Sequence, residues 1–220
     1  MNMGFRILFL YLVFLAPSLS VHGALAQEGR DQGGIDAKVK QFLERHRGKW
    51  TDWNVPEIDG KLLFSLIIKN NYQRALEIGT STGHSALWMA WALSKTHGNL
   101  ITIEIHEGRH RTAQQNFQKS GLSPYIDARL GDAHDLVKEL KGPFDFIFLD
   151  ADKDWYTRYF KELAPKLEKG GCFAAHNVLW RRDRGIRDFL EYVGKLPNFR
   201  TFINRESPAG VSISYKRAEN

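Results

Sequence analysis

Leu76-Glu77-Ile78-Gly79-Thr80-Ser81-Thr82-Gly83-His84-Ser85 is the stretch on which the fold turns. A short apolar run, 75–78, stops at a glycine, and a second glycine stands just ahead of an amphipathic segment over 84–95. Two glycines at that spacing allow a tight turn and let backbone approach a ligand closely at a helix N-terminus. The spacing is G-x-x-x-G. It differs from the G-x-G-x-x-G of a dinucleotide site, and no phosphate-binding lysine follows. A plain strand-to-helix turn would look the same, so the loop needs support from elsewhere in the chain.

That support lies downstream. Apolar runs at 100–105, 126–130, 144–149 and 172–175 alternate with amphipathic stretches at 108–119, 133–140 and 155–168. Alternation of this length predicts βαβ units and a parallel sheet. Upstream, Val39, Phe42 and Leu43 have helical spacing, and Pro56 opens a helix with Ile58, Leu62, Leu63, Leu66 and Ile67 along one face. The runs 199–204 and 211–215, joined through Pro208 and Gly210, predict a C-terminal antiparallel hairpin at the sheet edge. The fold class is therefore α/β, a Rossmann-like, doubly wound, seven-stranded and mostly parallel sheet closed by that hairpin.

In such sheets the ligand lies beyond the carboxyl ends of the strands. Glu104 follows the second strand, and an acceptor-only carboxylate there suits the two hydroxyls of a ribose. Gly131-Asp132-Ala133 follows the third and offers a polar turn for an adenine. Three coordinated turns point to a nucleoside-containing cofactor. The fourth strand delivers Asp150, Asp152 and Lys153, and the fifth ends in His176-Asn177. Oxygen and imidazole groups converging from adjacent strand ends could bind a divalent cation. Equally, the two aspartates could cap the next helix, and His176 could be a hydrogen-bonded core residue. Trp155, Tyr156 and Trp180 flank these groups and could stack on an aromatic acceptor or simply pack. Trp50 and Trp53 are weaker candidates for the same role.

Composition narrows the class without deciding it. The chain has 220 residues, 43% of them hydrophobic, and a formal charge of +6, which is ordinary for a globular protein and no nucleic-acid signature. A single cysteine, Cys172, excludes an intrachain disulfide and any multi-cysteine cluster. The start is unusual. Arg6 precedes an unbroken apolar run over 7–16, followed by Pro17, serines and Ala24-Leu25-Ala26. This order predicts a secretory signal peptide over 1–26, with cleavage before Gln27 and export to the periplasm or medium. An uncleaved membrane anchor is the alternative. Cleavage removes one arginine and no acid, leaving a charge of +5 on 194 residues, enough for one core. A polar, glycine-rich leader follows over 27–34, and the domain proper runs over 35–220.

At these residues a family becomes recognisable. The chain resembles the cation-dependent class I S-adenosylmethionine O-methyltransferases, the catechol and caffeoyl-CoA group with its bacterial relatives, over essentially all of 53–217. The resemblance is carried by Asn54-Val55-Pro56-Glu57-Ile58-Asp59-Gly60, LEIGTSTGHSALWMA (76–90), ITIEI (101–105), GDA (131–133), FLDADKDWY (148–156), GGCFAAHNVLW (170–180) and the final hairpin. It implies the class I methyltransferase fold, with S-adenosylmethionine and a divalent cation as cofactors. The implied cofactor contacts are Val55, Glu77, Gly79, Thr80, Ser85, Glu104, Ala133 and Asp152. Ser81, Gly83, Asp132 and Asp150 join them from the three turns and the fourth strand end. Asp150, His176 and Asn177 match the metal ligands, and Lys153 matches the general base. The implied catalytic set is Lys153, Asp150 and His176, acting on a small, catechol-like aromatic acceptor.

The chain also departs from the family. His176 stands where the family usually has Asp, which favours softer metals such as Mn²⁺ over Mg²⁺ and permits a metal-independent reading with His176 as base. The segment after Trp180, with Arg181, Arg182, Arg184 and Arg187, is shorter than the loop many relatives place over the acceptor. Three other functions stay open: transfer-RNA modification, a catalytically idle nucleoside-binding protein, and a nicotinamide oxidoreductase. The leader and the lack of a long basic arm argue against nucleic acid as a partner. No stable membrane association is expected once the leader is removed, and the resemblance allows a homodimer.

Overall fold

The computed structural model describes residues 21–180 and 182–217. Most of the proposed signal peptide, like Arg181, lies outside the described residues. Helix α1 (Val21–Arg45) reaches back well before Ile35, where the helical spacing of apolar residues begins. Among the described residues, no helix is long and apolar enough to cross a membrane.

After α1 and α2 (Glu57–Asn70), strands and helices alternate: β1 (Arg74–Ile78), α3 (His84–Thr96), β2 (Asn99–Glu104), α4 (Glu107–Ser120), β3 (Ile126–Leu130), α5 (Ala133–Glu139), β4 (Phe144–Leu149), α6 (Tyr156–Leu163) and β5 (Leu167–His176). The chain ends with α7 (Arg184–Gly194) and the hairpin β6 (Phe199–Asn204) and β7 (Val211–Lys216). The sheet order is β3-β2-β1-β4-β5-β7-β6. Strands β1 to β5 run parallel, and β7 is antiparallel to both β5 and β6. The order reverses between β1 and β4, so a crevice opens at their carboxyl ends.

Strands covered on both faces must be apolar on both, and β4 shows it. Phe146 and Phe148 join the core under α1 to α4, while Ile147 and Leu149 join the core under α5 to α7. Helix α3 sits against the sheet with nearly every residue buried. In α2, Leu63, Leu66 and Ile67 pack inward as expected, whereas Ile58 is exposed.

Two elements differ from the sequence reading. The amphipathic stretch 155–168 is interrupted: α6 stops at Leu163, Pro165 sits in a single 3-10 turn, and β5 already begins at Leu167. Proline cannot continue the backbone ladder of a helix interior, which explains the break. Helix α7 is an addition, since the sequence reading saw only a shortened loop there. Its start is capped by the Asp183 side chain, which accepts from the Ile186 amide at 3.1 Å. Ile186, Phe189 and Val193 then form its buried stripe.

Candidate active site

A cavity of about 660 Å³ opens at the carboxyl ends of β1, β2, β4 and β5. Its cofactor half is built by backbone. Gly79 takes a φ of +99°, and a Cβ there would collide with the Asp150 carbonyl, so the ends of β1 and β4 close together only around glycine. The turn then presents the Ser81 amide to Glu104 Oε2 at 2.7 Å, while the His106 amide donates to Glu104 Oε1 at 2.9 Å. Two backbone donors thus fix a carboxylate whose remaining lone pairs face the cavity. Beyond it, Asp132 caps α5 by accepting from the His134 amide at 2.9 Å, and Ala133 and His134 form the next wall.

The other half carries charge in a line. Lys153 Nζ donates to Asp150 Oδ1 at 2.7 Å and to the Tyr156 hydroxyl at 2.9 Å. Asp150 Oδ2 lies 3.1 Å from His176 Nδ1. His176 Nε2 lies 2.8 Å from Asp59 Oδ2 on α2. Burial would push His176 down, but the hydrogen bonds its ring donates to Asp150 and Asp59 override it and bring its pKa up to about 9. Burial pushes Asp150 up, yet the His176 hydrogen bond and the Lys153 charge hold it below the usual carboxylate range. At neutral pH the ring is therefore an imidazolium donating from both nitrogens.

The cavity gathers Gly79, Ser81, Glu104, Asp132, Ala133, Asp150, Asp152, Lys153, His176, Asn177 and Trp180 from the sequence expectations. The others stand behind it. Glu77 is fully buried and accepts from Ser85 and Thr102, each at 2.5 Å, and Thr80 bonds Thr102. Gly83 packs against Phe117, and Val55 lies in the core, its carbonyl bonded to His84. These residues shape the loop without lining the cavity. Tyr156 is fully buried and holds Lys153, so it offers no ring to an acceptor. Trp155 stacks on His134 at 3.7 Å and so backs the wall. Trp180 and Trp53 are exposed at the mouth, while Trp50 stacks on His84 elsewhere.

The metal expectation meets a poor donor set. A cation needs lone pairs converging on one point. Asp59 and Asp150 engage opposite edges of the His176 ring, and Asp150 has committed one oxygen to Lys153 and the other to His176. Among the described residues, no three His, Cys, Asp or Glu side chains form a group that could hold a metal ion. Asp150, His176 and Asn177 nonetheless line the same cavity. As an imidazolium, His176 keeps no free lone pair with which to act as a base.

In the sequence Asp59 stands out only as part of the family-like stretch 54–60. The available signal was an acid four residues before Leu63, on the buried stripe of α2. Asn54, Arg109 and His134 are further wall residues the reading missed.

A doubly wound sheet whose switch-point cavity pairs a ribose-type carboxylate with a lysine–aspartate couple defines an α/β protein of the nucleoside-dependent group-transfer type. A family model described as O-methyltransferase matches residues 34–186, and the chain belongs to that family. A catechol O-methyltransferase from Niastella koreensis is 41% identical over 59% of this chain and 59% of its own length. Caffeoyl-CoA O-methyltransferase 1 from Eucalyptus globulus is 32% identical over 70% of this chain and 66% of its own. The chain thus spans about three fifths to two thirds of these curated relatives. Among solved structures, the O-methyltransferase from Bacillus cereus in complex with SAH superposes with a TM-score of 0.72 at 25% identity, covering 82% of this chain and 91% of that one. TomG from Streptomyces achromogenes, in complex with SAM, gives 0.71 at 25% identity over 82% and 90%.

Proposed function

We propose that the chain moves the methyl group of S-adenosylmethionine to a hydroxyl of a small, catechol-like aromatic acceptor. The observation that carries this reading is the single cavity in which the Glu104 carboxylate and the Lys153 ammonium stand on facing strand ends. The neighbours solved with SAM or SAH support the cofactor, and the catechol-methylating relative supports the acceptor class.

Glu104 takes the ribose hydroxyls, and the Asp132–Ala133 turn reads the adenine. The sulfonium methyl then faces the Lys153 end of the cavity, with the acceptor entering beside Trp180. Lys153 first releases a proton to solvent, and the acceptor hydroxyl then passes its own proton to the amine left behind. Its oxygen attacks the methyl carbon in line; the new O–C bond forms as the C–S bond breaks, and the electron pair leaves on sulfur as a neutral thioether. Positive charge disappears from sulfur and remains as the Lys153 ammonium, which Asp150 stabilises. Holding two reactants in line supplies most of the acceleration. If a divalent cation is bound, Asp150, His176 and Asn177 would hold it, and it would supply a Lewis acid that lowers the pKa of the acceptor hydroxyl.

The test is incubation of the purified chain with methyl-labelled S-adenosylmethionine and a panel of catechols and monophenols. A labelled methyl ether formed together with S-adenosylhomocysteine is expected. Cofactor binding without transfer to any phenol would reject the acceptor class. We further propose that residues 1–26 direct export and are cleaved before Gln27. N-terminal sequencing of the secreted chain checks this, and an intact Met1 start would contradict it.

A further inference from the structure

A second cavity, of about 780 Å³, lies between α1, α2 and the first turns of α3. Asn54 and Pro56 are the only residues it shares with the cavity at the strand ends. Its inner wall is aromatic, made of Trp50, Trp88 and Trp91, with the His84 ring stacked on Trp50 at 4.4 Å. The polar atoms of that wall are already engaged. Trp88 Nε1 donates to His84 Nε2 at 3.0 Å, His84 Nδ1 lies 2.8 Å from the Val55 carbonyl, and Trp91 Nε1 donates to Asp36 at 2.7 Å. Because Nε2 accepts, the His84 ring is neutral, and burial holds its pKa below the usual histidine value. The wall is also firm: a Cβ at Gly60 would collide with the Trp88 ring, so α2 presses directly on that indole. What remains to a ligand is aromatic surface in a recess of small-molecule size.

The rim is charged and unbalanced. Lys40, Arg47 and Lys61 stand there with Glu44 and Glu57, a surplus of one positive charge. Arg47 reaches both acids, Glu44 at 2.8 Å and Glu57 at 3.5 Å, and Lys61 holds Glu57 at 2.7 Å. Asp36 does not redress the balance, since Lys95 pairs with it at 2.6 Å. Indole faces attract organic cations, but the surplus at this rim opposes them and favours an anion. We propose that this cavity is a binding site for a planar aromatic monocarboxylate, its rings among the tryptophans and its carboxylate at the Lys40 and Arg47 rim. The site lies outside the methyl-transfer cavity, and the proposal stands or falls independently of the methyl-transfer reading.

The probe is 2-naphthoate, which carries two fused rings, one carboxylate and no hydroxyl that could be methylated. It is titrated into the full chain by calorimetry while the indole N–H signals are followed by NMR. One equivalent is expected to bind, moving the Trp50 and Trp88 signals and leaving that of Trp180, at the mouth of the other cavity, in place. Two comparison probes separate ring from charge: 2-naphthylmethylammonium keeps the rings with the opposite charge, and cyclohexanecarboxylate keeps the charge without aromatic rings. Each should bind about tenfold more weakly than 2-naphthoate, or worse. Trp50→Ala should weaken 2-naphthoate about tenfold, and Lys40→Glu about three- to tenfold with a smaller dependence on salt. No binding at millimolar 2-naphthoate would overturn the proposal. So would equal affinity for all three probes, or signals that move at Trp180 and not at Trp50. Should Trp50→Ala fail to fold, the probe series on the wild type and Lys40→Glu, an exposed position on α1, still decide.

Discussion

Lys153 and Glu77 illustrate two ways in which one charged side chain can matter here. Lys153 reaches the cavity, so Lys153→Met should lower kcat by about a hundredfold or more while cofactor affinity changes little. Equal losses in both would contradict a role in proton transfer. Glu77 acts from behind the loop. Burial raises its carboxyl to about 8, with the Ser85 and Thr102 hydroxyls offsetting part of that effect. The folded chain therefore holds a proton that the unfolded chain, near the ordinary 4.5, has released. Stability from this group is complete below pH 4.5 and is lost as pH rises toward 8, with a slope of at most about 1.4 kcal/mol per pH unit. Denaturation midpoints of the wild type should fall across that window, and those of Glu77→Gln should fall less; parallel curves would contradict the assignment. At this scale the sequence showed residue types at strand ends well: Glu104, Asp150, Lys153 and His176 all reach the cavity. It could not show partners. Asp59 stands 117 positions from His176, and only tertiary packing brings α2 over the end of β5.

Among the elements, period-2 and buried apolar runs located all seven strands, because a sheet covered on both faces leaves few polar positions to confuse the reading. Helix α7 escaped notice. Four arginines around its start drew attention to charge, while the stripe of Ile186, Phe189 and Val193 carried the structural signal. The segment is a cap for the second face of the sheet. Phe189 is fully buried, edge-on to Tyr156 with ring centroids 5.5 Å apart. Phe189→Ala should cost about 3–5 kcal/mol in chemical denaturation, as large-to-small changes in a packed core do. It should also loosen Tyr156 and hence Lys153, lowering turnover. A cost below about 1 kcal/mol would mean that α7 is not an integral part of the core.

The whole molecule places its chemistry by topology. The reversal of strand order between β1 and β4 sets the glycine turn, the ribose carboxylate and the lysine–aspartate couple around one crevice, although they are scattered over the 75 residues from Gly79 to Lys153. That crevice was legible in the sequence as a pattern of strand-end residues. Its electrostatic balance was not, because the pairing of His176 with two carboxylates depends on the helix layer above the sheet. The export proposal likewise belongs to the whole molecule and is independent of the crevice. The most direct test of the central claim is a calorimetric titration with S-adenosylmethionine, run on the wild type and on Glu104→Gln. The account predicts one equivalent bound by the wild type and an affinity about ten- to a hundredfold weaker in the variant, as expected for the loss of charge-assisted hydrogen bonds. No binding by the folded wild type, or the same affinity in both, would contradict it.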